Sequence, residues 1–444
     1  MVSSKLATPL SIQGEVIYPD DSGFDPIANI WDGRHLQRPS LIARCLSAGD
    51  VAKSVRYACD NGLEISVRSG GHNPNGYATN DVASSWTSDS STTSTSTTPG
   101  IGADRGWLIS GDLVKEAGKF GLAAVTGMLS SGLDGLRAQW GRLACSPQIW
   151  FQPVDNILGA ILVTAIGDVI YCSDDERPEW FWRLEVRAQL GFRHRGRGPA
   201  LRATEEDARR IHYLGPLGQA NVAGLLTSLL DALNEMADHI YPNVFVVVDE
   251  NRAPSVTLFM GHPRQPNDPK DIVERDIAGL GGLGGTVSFV RVRSYDELLV
   301  FNLEVAIFED GFSNFWIDRE IGMPKLVSAE RLQAIWTKLL VNRKRAPSNL
   351  EIEGMPFGNP KRKPARHRDA MAVLALAEWS GAAPGSEKYP ELARELDAAL
   401  LRAGVTTSGF GLLNNNSEVT AEMVAEVYKP EVYCRLAAVN LQSA

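Results

Sequence analysis

The chain of 444 residues contains few cysteines, and their arrangement excludes two classes of protein. The five thiols are Cys45, Cys59, Cys145, Cys172 and Cys434. Their number is odd, and no two of them stand in a Cys-x-x-Cys spacing. Disulfide frameworks need pairs of thiols, and structural zinc sites need closely spaced thiols or imidazoles. The sequence therefore predicts neither a disulfide framework nor a metal site.

An excess of basic charge is also missing. The 44 Lys and Arg residues are outnumbered by 53 Asp and Glu residues, so the formal net charge is −9. Binding to nucleic acid or to anionic lipid requires a basic face. The one basic cluster, within residues 361–367, is typical of a solvated loop. Neither nucleic acid nor a membrane is expected as a partner.

Long apolar runs are absent as well. No segment is long enough to span a bilayer, and the N-terminal residues lack the apolar core of a secretory signal. The hydrophobic fraction of 44% and the charged fraction of 22% are those of an ordinary globular protein. We therefore expect a cytoplasmic protein, and its length predicts two domains.

The most informative motif is RSGGHNPNG, at residues 68–76. It follows residues 63–67, which are predicted to form a short buried strand, and a predicted helix over Ala48–Asn61 with Asp50 as its N-cap. Two adjacent glycines allow positive φ angles and the close approach of a ligand, so consecutive backbone N–H groups can bind a phosphate. Taken alone, the motif fits an ordinary turn as well as a phosphate-binding loop.

The flanking sequence favours the second interpretation. With gaps, residues 17–440 resemble the FAD-linked oxidases of the berberine-bridge-enzyme-like family, whose flavin domain carries an R-G/S-G-G-H-x-x-x-G loop. The likeness is densest over residues 38–76, 120–135 and 153–182. It implies FAD covalently bound to His72. The other residues that it places around FAD are Arg68, Ser69, Gly70, Gly71, Asn73, Gly76, Gly127 and Asn156.

The resemblance also implies an α+β fold with two domains. Residues 1–210 would form the FAD-binding domain, and residues 404–444 would return to it. Residues 211–403 would form a substrate domain with an antiparallel sheet backed by helices. Sequence patterns predict strands at 243–250, 255–260 and 286–292 and from 350 onward, and helices at 269–280, 329–341 and 390–403.

The implied function is that of an FAD-dependent oxidoreductase. A small hydroxylated or secondary-metabolite substrate would give a hydride to the flavin, and oxygen would reoxidise it. No catalytic base can be identified, because Asp318 and Arg319 fit a substrate-lining position and a surface pair equally well. Asn414 matches the family's Tyr-x-Asn motif, but Leu412 replaces its Tyr. Residues 127–135 lack the Cys of doubly linked relatives, so at most one covalent flavin bond is expected.

Three segments, residues 82–98, 138–152 and 184–195, depart from the family pattern. The first is rich in Ser and Thr, which is typical of a flexible loop. A shifted reading frame in each segment would restore family-like sequence, and the chain ends at Ala444 before the relatives' final segment. The alternative function is therefore a catalytically impaired remnant, or a misread gene product, that cannot retain FAD.

A Rossmann-type dehydrogenase is a weaker alternative. The glycine-rich run at residues 281–285, GGLGG, follows a predicted helix rather than a strand and lacks the G-x-G-x-x-G context. A flexible loop is the expected structure for this run.

Overall fold

The computed structural model describes the secondary-structure elements and a set of connecting residues. The described residues are 8–30, 32–68, 71, 73, 75–80, 84–86, 95–97, 100–102, 115, 119, 122–123, 158–189, 201–202, 209–216, 225, 228–229, 232, 241–249, 255–262, 269–291, 314–323, 349–356, 371–380, 391, 394–395, 398, 420–421, 424 and 430–441.

The N-terminal part is a βαβ unit with a short strand added at one edge. Strands β1 (Glu15–Ile17), β2 (Leu41–Arg44), β3 (Ile65–Val67) and β4 (Ser84–Trp86) form a sheet in the order β1-β2-β4-β3. Strands β2 and β3 run parallel to β4, whereas β1 is antiparallel to β2. Helix α1 (Phe24–Ala28) follows β1, and helix α2 (Ala48–Asn61) connects β2 to β3. The predicted helix and strand before the RSGGH motif are both present.

The prediction that Asp50 is the N-cap of α2 is wrong. Ser47 is the N-cap, and its Oγ accepts a hydrogen bond of 3.2 Å from the Asp50 backbone N–H. Asp50 lies in the first turn, where its buried carboxylate accepts backbone N–H bonds from Gln13, Gly14 and Leu46. Its role is therefore to hold the N-terminal segment against the start of the helix.

The sheet buries a separate cluster of apolar side chains on each face. Because successive strand residues point to opposite faces, Leu41 and Ala43 contact the side of α2, and Ile42 contacts the side of α1. Leu10, Cys45, Val51 and Val55 complete the first cluster. The second cluster consists of Ile17, Phe24, Ala28 and Ile42. Apolar burial on both faces is the usual driving force for this type of layered unit.

The composition of the Ser/Thr-rich tract predicts a flexible loop, but parts of the tract form strands. Within it, β4 pairs on one side with β2 and on the other with β3. Strand β5 (Thr95–Thr97) pairs with β6 (Gly100–Gly102). A strand between two others is held by backbone hydrogen bonds, which do not depend on an apolar sequence. The rest of the tract lies outside the described residues.

Two strand pairs and a helix also belong to the region before residue 210. Strand β7 (Leu122–Ala123) pairs with β10 (Leu201–Arg202), and β8 (Gly159–Val163) pairs with β9 (Val169–Ser173) in a hairpin. Thr164 and Asp168 close its turn, since the Thr164 Oγ1 accepts from the Asp168 N–H at 3.0 Å. Helix α3 (Pro178–Gln189) follows β9.

The C-terminal helix α5 (Pro430–Leu441) packs against α3. Arg435 of α5 binds both carboxylate oxygens of Glu179, with Nη2 at 2.7 and 2.8 Å. Its guanidinium also lies 3.7 Å from the centroid of the Trp182 ring. The last described residues of the chain thus contact the first half of the protein.

The larger sheet has seven antiparallel strands, in agreement with the predicted α+β class. Its strands are β11 (Arg209–Pro216), β12 (Tyr241–Asp249), β13 (Ser255–His262), β14 (Thr286–Arg291), β15 (Asn314–Met323), β16 (Asn349–Pro356) and β17 (Met371–Ser380). Their order is β14-β11-β13-β12-β16-β17-β15. The predicted strands at 243–250, 255–260 and 286–292 and from 350 onward correspond to β12, β13, β14 and β16. Three of the four have ends that differ by two residues or fewer.

Helix α4 (Ile272–Gly281) covers one face of this sheet near β11 and β14. Tyr213 of β11 is fully buried, and burial raises the pKa of its hydroxyl. A Cβ at Gly285 would lie 2.3 Å from the Tyr213 ring. The glycine-rich run is therefore a turn after α4 that leaves room for a buried tyrosine, and the dehydrogenase interpretation is not supported.

Some predicted elements cannot be compared with the structure. The helix at 329–341 lies outside the described residues, and within 390–403 helical backbone is described at Glu391, Arg394, Glu395 and Ala398. None of the helices in the described part of the chain has the length and apolar run needed to cross a membrane.

Candidate functional site

The candidate site begins where β3 ends. Helix α2 stops at Gly62, which has a left-handed φ of 62°, and the chain turns directly into β3. Arg68 is the first residue after the strand, and it is only 8% exposed. A buried guanidinium is retained only where anionic or hydrogen-bonding groups compensate its desolvation. The end of β3 therefore carries a buried positive charge.

Gly71 brings the backbone close to the Arg68 side chain. Its φ is +74°, and a Cβ at this position would lie 3.1 Å from the Arg68 Nε. A non-glycine residue would be strained in this conformation and would crowd the guanidinium. The structure therefore confirms the positive φ expected for Gly71.

The second half of the motif forms a compact turn. The Asn73 backbone carbonyl accepts a hydrogen bond from the Gly76 N–H at 3.2 Å, and the Asn73 Oδ1 accepts from the Tyr77 N–H at 3.1 Å. Gly76 has a φ of +73°. An Asn side chain bonded to the backbone in this way stabilises a turn. Asn73 thus shapes the loop, and the cofactor contact that the resemblance implies for it stays a prediction.

A residue that the sequence pattern does not single out lies against this turn. A Cβ at Gly76 would be 2.4 Å from the Nδ1 of His35. His35 follows Asp32, whose carboxylate is almost fully buried and accepts two hydrogen bonds of 2.9 and 3.0 Å from the Arg34 Nε. The contact joins residues 41 positions apart, and no local motif indicates it.

Two buried side-chain oxygens lie in β3 and in the segment that is hydrogen-bonded to the loop. The Ser66 Oγ and the Gln37 Oε1 have no hydrogen-bond partner within the described part of the chain. Ser66 belongs to β3, and the Gln37 backbone carbonyl accepts from the Thr79 Oγ1 at 3.4 Å. Because buried polar groups are normally hydrogen-bonded, these atoms fit a site that is completed by a polar cofactor.

Several predicted site residues cannot be placed. Ser69, Gly70, His72, Gly127 and Asn156 lie outside the described residues. The structure therefore brings together Arg68, Gly71, Asn73 and Gly76 and adds His35 and Asp32 to them. In the part of the chain that is described, no group of three or more His, Cys, Asp or Glu residues could hold a metal ion.

The described thiols are all free. Cys45 and Cys172 are buried, while Cys59 and Cys434 are exposed. Burial raises the pKa of the Cys45 thiol to about 11, with an opposing effect from the Ser54 hydrogen bond and a smaller increase from the Asp50 carboxylate. A thiol with such a high pKa is a poor nucleophile at neutral pH. These described cysteines show no catalytic arrangement.

The asymmetry of the large sheet is the second chemical feature. On β15, β16 and β17 the pairing register places Asp318, Glu320, Glu351, Glu353 and Glu378 on one face. No Lys or Arg position shares that face in these three described strands. The opposite face is apolar apart from Arg319. Asp318 and Arg319 are adjacent in β15 and therefore occupy alternate positions along the strand.

Comparison with known proteins gives a consistent result, although no family model matches the chain. The (R)-6-hydroxynicotine oxidase of Paenarthrobacter nicotinovorans is 67% identical over 453 residues, which cover 99% of this chain and 96% of that protein.

Two solved structures show the same fold. The 6-hydroxy-D-nicotine oxidase of Arthrobacter nicotinovorans superimposes with a TM-score of 0.79 at 60% identity, covering 99% of this chain and 97% of that one. The berberine-bridge-enzyme-like protein 1 of Physcomitrella patens superimposes with a TM-score of 0.74 at 14% identity, covering 97% of this chain and 94% of that one.

Proposed function

Because the chain belongs to the FAD-linked oxidases of the berberine-bridge-enzyme-like family, we propose that it oxidises a small hydroxylated amine of the 6-hydroxynicotine type. The enzyme is an FAD-linked oxidoreductase, and its cofactor is FAD. The single observation that carries the choice of substrate is the 67% identity to (R)-6-hydroxynicotine oxidase over almost the whole of both chains.

Bound FAD supplies a two-electron acceptor that takes a hydride from the substrate and is reoxidised by oxygen. The chain's own residues orient this group. The Arg68 guanidinium, buried at the end of β3, would pair with the pyrophosphate. The Gly71 backbone lies close beside it, where an N–H can approach a phosphate oxygen.

His72, between Gly71 and Asn73, is the proposed attachment residue. With FAD bound, the His72 imidazole would hold it covalently through the methyl carbon of the flavin ring, and oxygen would take up the two electrons that this oxidation releases. Residues 1–210 and 404–444 would form the FAD-binding domain and residues 211–403 the substrate domain. The contact of Arg435 with Glu179 supports this division.

The acidic face of the large sheet supports a cationic substrate. An amine of the 6-hydroxynicotine type is protonated at neutral pH, and carboxylates attract it while disfavouring anions. Glu351 and Glu353 are two residues apart on β16 and occupy the same face as Asp318 and Glu320 across β17. No basic residue position shares this face in the three described strands.

A spectrum of the purified protein tests the cofactor assignment. The wild type is expected to show flavin absorbance that remains with the protein after acid precipitation, and His72→Ala should retain only flavin that acid releases. Acid-stable absorbance in both proteins would refute attachment at His72. A colourless wild type would instead support the alternative function, a remnant that cannot retain FAD.

The substrate assignment has a separate test. Peroxide release is measured with (R)-6-hydroxynicotine, with its (S) enantiomer and with an oligosaccharide as an uncharged control. Activity is expected with a nicotine-type amine. Glu353→Gln should raise KM by about tenfold, the equivalent of ~1.4 kcal/mol, because one carboxylate near the cation is lost. Equal activity with the oligosaccharide would refute a cationic substrate.

A further inference from the structure

A short segment before β2 contacts the flavin loop although the family motif does not include it. Residues 32–37, DGRHLQ, form a turn in which the His35 N–H donates to the Asp32 carbonyl at 3.1 Å. The Asp32 carboxylate is 2% exposed, and its Oδ2 lies 3.6 Å from the His35 Nε2. One side of the imidazole therefore faces a fixed, buried carboxylate. We call residues 32–37 the brace.

The other side of the imidazole faces the flavin loop. A Cβ at Gly76 would lie 2.4 Å from Nδ1, 2.6 Å from Cγ and 2.7 Å from Cε1 of His35. The ring thus occupies the space that a side chain at position 76 would need. A second contact joins the brace to the same loop, since the Thr79 hydroxyl donates to the Gln37 backbone carbonyl at 3.4 Å.

Gly76 is connected to the remainder of the loop by hydrogen bonds. Its N–H donates to the Asn73 carbonyl at 3.2 Å, and its own carbonyl accepts from the Thr79 N–H at 3.1 Å. Asn73 immediately follows His72. A displacement of Gly76 would therefore move the Asn73 carbonyl, which belongs to the residue next to His72, the proposed attachment residue. Positions held by packing in this way determine whether a reacting group is correctly oriented.

We propose that His35, held by Asp32, is a positioning residue that fixes the flavin loop in the conformation that receives FAD. This inference rests on the proposed attachment of FAD at His72. His35 touches neither the cofactor nor the substrate in this scheme, because it acts through Gly76. The sequence signal is weak, since the two segments are far apart in the chain.

A double-mutant cycle tests the contact. Apoprotein is prepared under riboflavin limitation and incubated with FAD, and acid-stable flavin per chain is followed over time. His35→Ala and Gly76→Ala should each slow attachment by about tenfold or more, the equivalent of ~1.4 kcal/mol. In the His35→Ala background, Gly76→Ala should slow attachment much less than it does alone, because the ring with which the new methyl group collides is gone and only the backbone strain at its φ of +73° remains.

Two control variants separate this effect from general destabilisation. Gly62→Ala introduces the same backbone strain at a φ of +62°, but nothing lies within 4 Å of the added Cβ. Arg38→Ala alters an exposed residue just beyond the brace. Both should attach FAD at the wild-type rate, and the thermal midpoint of every variant is measured to confirm folding.

The outcomes are distinct. The role of the brace would be overturned if the double variant were slowed by the product of the two single effects of His35→Ala and Gly76→Ala. It would also be overturned if His35→Ala attached FAD at the wild-type rate. Slowing by Gly62→Ala equal to that by Gly76→Ala would also overturn it. If His72→Ala retains acid-stable flavin, the proposed attachment fails instead, and that result does not depend on the brace variants.

Discussion

Asp50 offers a stringent test of how the N-terminal half of the protein is held together. Its carboxylate is 1% exposed and accepts three backbone hydrogen bonds. The Gln13 N–H donates to Oδ1 at 2.9 Å, while the Gly14 and Leu46 N–H groups donate to Oδ2 at 3.2 and 3.0 Å. This side chain therefore joins the segment before β1 to the loop that enters α2.

The perturbation is Asp50→Asn, which keeps the shape but replaces one oxygen with an NH₂ group. Whichever way the amide is turned, its NH₂ group faces at least one backbone N–H that the carboxylate accepted. A hydrogen bond to a charged group contributes about 1.5–3 kcal/mol, and a buried donor left unpaired costs a further ~1–3 kcal/mol. Allowing for partial relaxation, we expect a loss of about 2–4 kcal/mol in the free energy of unfolding.

Urea unfolding followed by circular dichroism measures this loss. Ser47→Ala, which removes the cap bond to the Asp50 N–H, should cost about 1 kcal/mol. Asp25→Asn, which breaks an exposed ion pair with Arg38, should stay within about 0.5 kcal/mol of the wild type. A wild-type stability for Asp50→Asn would refute the role of its carboxylate.

Two further variants test other parts of the structure. Arg435→Ala should lower the free energy of unfolding in urea, because it removes the two-point contact with Glu179 and the contact with the Trp182 ring. Since these contacts are exposed, the loss should be about 1 kcal/mol. An equal loss in Arg435→Lys would assign the stability loss to the geometry of the guanidinium. No loss in either variant would show that the contact of Arg435 with Glu179 does not stabilise the fold. Cys45→Ala should remove part of the loss of stability at alkaline pH. Burial raises the pKa of the Cys45 thiol from 9.0 to about 11 in the folded protein. The contribution of the neutral thiol to folding stability is therefore present below pH 9 and is lost as the pH rises through 11. That contribution is about 3 kcal/mol. If the unfolding midpoint of Cys45→Ala fell between pH 9 and 11 with the same slope as that of the wild type, the result would contradict it.

Local patterns predicted the elements around the RSGGH motif well. The helix over Ala48–Asn61 has the predicted bounds, and β12, β13 and β14 of the large sheet lie where β-branched and aromatic residues are concentrated. These predictions succeed because helix caps, glycine stops and alternation act over a few residues. The identity of the N-cap was wrong because Asp50 is engaged by Gln13 and Gly14, which are distant in sequence.

Composition alone misjudged the Ser/Thr-rich tract. Strand β4 (Ser84–Trp86) lies between β2 and β3, and a central position supplies hydrogen-bond partners on both sides. Since those partners come from neighbouring strands, a short polar sequence can form a strand that its own residues do not favour. The sequence of the tract itself contains no sign of this pairing.

The amino-acid sequence by itself determined the class of fold, the flavin motif and the small excess of acidic charge, because each depends on residue types and short spacings. The three-dimensional structure decided which distant groups meet: Asp50 with the backbone near Gly14, Arg435 with Glu179, and His35 with Gly76. Such contacts follow from how the strands and helices pack, and packing brings together residues whose spacing along the chain carries no recognisable period.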